Sequence, residues 1–184
     1  MFVRSRVVGM AALAVLACSG GLHAADTGTR ASWQHREARF AFQGFTTYYT
    51  CDGLESKVRE VLLHLGARKD LKVQATGCIY GPAAPSPAAW VSVDYFALAP
   101  AGDSDQADVD NARWEQLSLT ARRPNFMGDG ECELVDQMKP LIKAGFALSD
   151  LDYHTSCFPH QITMGDYKVT GRVLRTADVG KEKH

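Results

Sequence analysis

The chain has 184 residues, with 20 Lys and Arg against 21 Asp and Glu, for a formal net charge of −1. Near-neutral charge without a basic run excludes the electrostatic footprint of a nucleic-acid-binding protein. The length suits one domain with a hydrophobic core of its own rather than several.

Residues 1–24 carry the three parts of a secretory signal. Arg4 and Arg6 open it with no acidic residue, Val7 to Ala17 form an apolar stretch, and Leu22-His23-Ala24 precedes a cleavage point before Ala25. The apolar stretch is too short to cross a bilayer, and no later stretch is long enough to do so. The Ala-rich signal points to a bacterial chain released to the periplasm or secreted. An alternative lies in Val15-Leu16-Ala17-Cys18, which resembles a lipobox and would leave the chain anchored through a lipidated Cys18. On either reading Cys18 leaves the folded domain, and the five cysteines become four. An even number in an exported chain of this size reads as a disulfide framework. Loss of Arg4 and Arg6 leaves 18 basic residues, for a net charge near −3.

After a flexible lead-in over 25–38, the first strand is expected from Arg39 to Cys51, with a bulge at Gly44. Beyond it Phe45, Thr47 and Tyr49 would face one way and Thr46, Tyr48 and Thr50 the other. Asp52 and Glu55 form a capping box at the start of a helix. Leu54, Val58, Val61, Leu62 and Leu65 make one helical stripe, with His64 off it and turned to solvent. Gly66 is placed to end the helix in the left-handed conformation. A strand from Leu71 sets Leu71, Val73, Ala75 and Ile79 on one face, and Lys72, Gln74 and Thr76 on the other. A loop restricted by Pro82, Pro85 and Pro87 leads to a strand over 90–98. The acidic stretch over 100–111 lacks the glycine and closing glutamate of a calcium loop and marks a boundary. The second unit reads as a strand over 113–121, then a helix over 131–144 kinked at Pro140 and closed by Gly145. Strands over 151–157 and 166–175 follow, with a charged tail over 177–184.

The two units repeat one another at an offset of about eighty residues, with Leu54/Leu134, Val58/Met138, Leu62/Ile142 and Leu71/Leu151 as matched apolar positions. The expected fold is therefore α+β: two tandem βαββ repeats, over 39–99 and 112–176, forming one pseudo-symmetric sheet within a single domain over 39–176. Both helices would pack on one face. If the first strand and the strand after the helix are parallel neighbours joined by a right-handed crossover, both cysteines of a unit fall at one sheet edge. This favours Cys51–Cys78 and Cys132–Cys157 among the three pairings that four cysteines allow.

The strands alternate, which leaves the second sheet face wet or covered by a partner. Tyr48, Gln74, Trp90, Trp114 and Gln116 are its candidate binding residues, with Ser92 and Asp94 beside them. The sharpest local cluster is His154-x-x-Cys157-x-x-His160-x-x-x-Met164. It resembles the ligand loop of the cupredoxins, which implies copper held by thiolate, imidazole and thioether. A disulfide at Cys157 removes the thiolate and leaves His154, His160 and Met164 as ligands for copper or zinc. Asp129, Glu131 and Glu133 beside Cys132 could pose as acid/base carboxylates but read as helix-start acids favoured by the dipole. The paired modules also resemble those of the vicinal oxygen chelate enzymes, whose His and Glu ligands lie on inner strand faces. No such set is read on the inner strand faces, and no catalytic motif is present. The first reading is an exported, disulfide-stabilised binding protein for an envelope protein or a small ligand. An envelope metal-binding protein is second and a small enzyme third.

Overall fold

The computed structural model describes residues 28–81, 83–102, 107–157 and 165–177. The signal segment with Cys18, the residues His160 and Met164, and most of the charged tail lie outside the described residues. The elements run β1 (Thr29–Gln43), α1 (Cys51–His64), β2 (Lys72–Thr76), β3 (Ala88–Pro100), β4 (Val109–Thr120), α2 (Cys132–Gln137), α3 (Lys139–Gly145), β5 (Leu148–Ser156) and β6 (Asp166–Thr176). The architecture is α+β, with one six-stranded sheet in the order β2-β3-β1-β4-β6-β5. Every neighbouring pair in it is antiparallel.

This order corrects the expected crossover. β1 and β2 are not neighbours, because β3 lies between them and pairs with both. In the same way β6 lies between β4 and β5. A strand that returns by a short connection pairs antiparallel with its predecessor, so the third strand of each half fills the gap under the helix crossover. The cysteines still meet, bridged as Cys51–Cys78 and Cys132–Cys157, with Cα atoms 6.1 and 5.6 Å apart.

The lead-in is also corrected. Most of it belongs to β1, which starts at Thr29 and is paired with β3 from Ala31 to Gln43. The strand stops at Gln43, where Gly44 turns the chain out, its amide bonded to the Pro87 carbonyl at 2.7 Å. A side chain at Gly44 would sit 2.1 Å from the Thr47 carbonyl, so the turn needs glycine. Thr46 to Thr50 therefore form a connection rather than the end of a strand.

Helix α1 is capped by Thr50, whose Oγ1 accepts the Gly53 amide at 2.9 Å, in place of the expected Asp52–Glu55 box. Glu55 reaches instead to the Ala75 amide of β2 at 2.8 Å. At the other end Gly66 has φ +91°, and the amides of Gly66 and Ala67 return to Leu63 and Leu62, both at 3.0 Å. This is a Schellman ending. The second helix is two helices, α2 and α3, broken at Met138 and restarted with Pro140 in the first turn of α3, where its missing N–H costs nothing.

The main core lies between the helices and one face of the sheet. It takes Leu54, Val58, Val61 and Leu62 from α1, Leu134, Val135, Met138 and Ile142 from α2 and α3, and alternate residues such as Val91, Val93, Tyr95, Leu117, Leu119 and Val169 from the strands. A second, smaller cluster of Ala31, Leu98, Ala112 and Leu174 is flanked by Trp33, Val109, Trp114 and Ala147. Leu98 follows Ala97, and Leu174 follows Val173, both members of the main core, so side-chain alternation places this cluster on the opposite face. It sits where β1 meets β4, and among the described residues those strands are partnered at Thr29–Ala112 and Ala31–Val109.

Beyond that junction the helices cover the strand edges. α1 reaches β2 through Glu55 and reaches β4 through His64 Nε2, 3.1 Å from the Ser118 carbonyl. α2 reaches β5, where the Tyr153 hydroxyl donates to the Val135 carbonyl, and reaches β1 through Gln137. Each helix thus docks on the central strand of the opposite half. His64 is held in this contact, edge-on to Phe126, and is not turned to solvent. Ile79, expected inside, is 63% exposed, because β2 ends at Thr76 and Gly77 turns with φ +75°.

Candidate functional site on the outer sheet face

The residues of β1, β2 and β3 that alternate with the core form three cross-strand rows on the outer face. Ala41, Trp90 and Thr76 make one row, Arg39, Ser92 and Gln74 the next, and Glu37, Asp94 and Lys72 the third. His35 opposite Phe96 begins a fourth. The second and third rows line a shallow groove of about 520 Å³. Trp90, 66% exposed, belongs to the neighbouring row. The β1–β3 and β2–β3 ladders hold these side chains in register without help from a loop.

The third row carries the electrostatic interest. Glu37 and Asp94 are direct cross-strand partners, an arrangement that like charges disfavour. Lys72 flanks Asp94 on the other side. His35 Nε2 stands 2.9 Å from Asp94 Oδ1, with both side chains about half exposed. The His35 ring is buttressed by Phe96, with centroids 5.1 Å apart. Phe96 is covered in turn by the Arg68 guanidinium, 3.8 Å from its centroid. Arg68 is clamped by Asp70 through two bonds of 2.9 and 2.8 Å, which draw the Asp70 carboxyl below its ordinary range.

Of the five binding residues expected from sequence, the structure brings Gln74 and Trp90 to this face, on adjacent strands and adjacent rows. Tyr48 is exposed but lies in the connection between β1 and α1. Trp114 is half-buried against the second apolar cluster, at the junction of the halves. Gln116 is exposed on β4, opposite Arg172 of β6. His154 is exposed on β5, opposite Lys168, whose ammonium pairs with Asp152 at 2.9 Å. Cys157 is in its disulfide.

The carboxylates near Cys132 have structural partners. Glu133 is buried, and its Oε2 accepts the amides of Phe45 at 2.8 Å and Thr46 at 3.2 Å. Glu131, also buried, pairs with Lys57 of α1 at 3.2 Å and accepts the Gly128 amide. Burial first, and then the Glu131 carboxylate, push the Tyr49 hydroxyl well above its ordinary value. That holds it as a neutral phenol rather than a nucleophile.

Sequence reading missed His35 and Glu37 because polar residues fill both alternating positions from Gln34 to Glu37. The alternation of Ala38, Phe40 and Phe42 toward the core, extended backward, is the signal that places His35, Glu37 and Arg39 together outside. Compared with known protein families, curated proteins and solved structures, the chain matches none.

Proposed function

We propose that this chain is an exported, disulfide-stabilised binding protein of the bacterial envelope, and that it engages an envelope protein or small ligand through the outer face of β2, β3 and β1. The observation that carries this reading is Trp90, exposed on a strand paired on both sides, one row from a groove with polar walls. A large aromatic ring beside convergent polar groups is what a recognition surface uses, and it costs little conformational entropy on binding. Two disulfides suit an oxidising compartment, and with the signal pattern of residues 1–24 they support release to the periplasm or medium. Anchoring through Cys18 is the alternative. We read the chain further as two tandem βαββ units. Support comes from the shared order of elements and from the recurrence of cysteines and apolar positions at one offset.

A photo-crosslinking residue at Ser92, in the groove, tests the binding reading in producing cells, with Ser56 on the solvent side of α1 as control. A defined adduct at 92 and none at 56 is expected; no adduct at 92, or equal adducts at both, overturns it. Intact mass of the purified protein tests export. The expected N-terminus is Ala25; an N-terminal lipidated Cys18 selects the anchored form, and an uncleaved chain overturns export.

A further inference from the structure

We propose that His35, Glu37 and Asp94 form a binding site for a divalent transition metal of the zinc class, with one coordination position left open to the groove. Their nearest ligand atoms, an imidazole nitrogen and two carboxylate oxygens, all lie within 4.8 Å of one another. Two donors on a tetrahedral zinc, each about 2.0–2.1 Å from the ion, stand about 3.3 Å apart. The His35 Nε2 to Asp94 Oδ1 separation of 2.9 Å is already near that spacing.

Three features make this more than an exposed acidic pair. The set includes an imidazole, a donor that zinc favours over calcium and magnesium. The backbone beneath it is the β1–β3 ladder, with Glu37 and Asp94 in direct register, so the ligands are held on paired strands rather than on a loop. The ring of His35 is backed by Phe96, and Phe96 by the clamped Arg68, which fixes the plane of the imidazole. Among the described residues, the Glu37 carboxylate has no hydrogen bond or ion pair, although it faces the like charge of Asp94. A cation shared by the two turns that repulsion into attraction.

Three protein ligands and a fourth open position are the arrangement of zinc sites that take a water or an external ligand. Here the open side adjoins a groove lined by Arg39, Lys72, Gln74 and Ser92. Its cations favour an anionic group, such as a carboxylate, as the fourth ligand. This last clause rests on the binding-face reading; the metal site itself does not.

The test is titration of the untagged, oxidised protein with zinc by calorimetry, repeated with cobalt to read its visible absorption. One ion per chain at micromolar concentration is expected, with a cobalt spectrum of four-coordinate intensity. His35→Ala, and the near-isosteric Glu37→Gln and Asp94→Asn, should each weaken binding by at least about tenfold, the scale set by loss of even an outer-shell partner. His154→Ala should leave it unchanged. Near-UV circular dichroism confirms that each variant is folded, and the two conservative variants stand in for His35→Ala if that one is not. Absence of binding below about millimolar zinc, equal affinity in all three variants, or loss on His154→Ala overturns the site. Metal binding without a groove adduct at Ser92 would leave the site standing and remove the binding-face reading. Zinc affinity unaffected by added acetate overturns the anionic fourth ligand alone.

Discussion

The side-chain amide of Gln137 pairs with the main chain of Gln43 as a neighbouring strand would. Its Oε1 accepts the Gln43 amide at 2.8 Å, and its Nε2 donates to the Gln43 carbonyl at 2.7 Å. Both main-chain groups of one strand residue point to the same side, so a single carboxamide can satisfy them together. Gln137→Ala is expected to cost about 1 kcal/mol, the net worth of such bonds at a partly exposed edge. Amide exchange at Gln43 should accelerate while exchange in the β1–β3 ladder stays unchanged; an unaltered rate at Gln43 would show that the edge is held by other means.

Glu133 fixes the same connection from within. Two amides, those of Phe45 and Thr46, depend on one buried oxygen, which also accepts the Thr46 hydroxyl at 3.2 Å. Glu133→Ala should destabilise by about 1–2 kcal/mol, since it removes the acceptor of two part-buried amides. Glu133→Gln keeps an acceptor and should cost less. Urea denaturation of both variants checks the order, and equal losses would contradict it.

His64 makes stability depend on pH. Burial first, and the nearby Arg175 guanidinium second, lower its pKa below the ordinary value, against the opposing effect of its bond to the Ser118 carbonyl. The unfolded chain therefore takes up the proton more readily, with a value of about 6.5. The contribution is fully present above that pH and is lost as pH falls through it, until the folded imidazole also protonates. His64→Gln should flatten the stability profile where pH falls below about 6.5. A variant whose profile tracks the parent would remove His64 as the cause.

Gly145 closes α3 against Tyr95, and a Cβ added there would lie 2.0 Å from the Tyr95 hydroxyl. Alanine is otherwise the better helix residue by about 1 kcal/mol. The clash should reverse that preference and make Gly145→Ala destabilising by about 1–2 kcal/mol, within the range for overpacking. In a Tyr95→Phe background the loss should shrink, because the hydroxyl is the atom in the way. Additive effects in this cycle would place the strain elsewhere.

The two disulfides close segments with sequence separations of 27 and 25. Loop-closure entropy puts each at about 3.5 kcal/mol. Replacing both cysteines of either pair with alanine should lower the thermal midpoint with the fold retained, and thiol titration of the unreduced protein should find the four sites blocked. Reactivity at any of them without denaturant would contradict this.

The helix stripe of α1, the Gly66 ending and the alternation of β3 were legible in the sequence because each is a local pattern with one physical solution. The strand order was not. Nothing in the residues of β2 says whether its neighbour is the strand before it or the strand after, and a short return connection decided for β3. Thr50 displaced Asp52 as the cap because the strand ended earlier than its apolar alternation suggested, at the turn of Gly44. For the candidate site, Gln74 and Trp90 were found through alternation alone. His35 and Glu37 were hidden in a stretch whose inward positions are also polar, and only the register with Asp94 brings them together.

The narrow junction between β1 and β4, partnered at two residue pairs, has a consequence for how the chain can go wrong. Either half released from the other uncovers an open strand edge, together with alanines and leucines that the tryptophans had shielded. Separation of the halves would therefore expose apolar surface and unpaired backbone together, and Trp33 and Trp114 flank what it would expose.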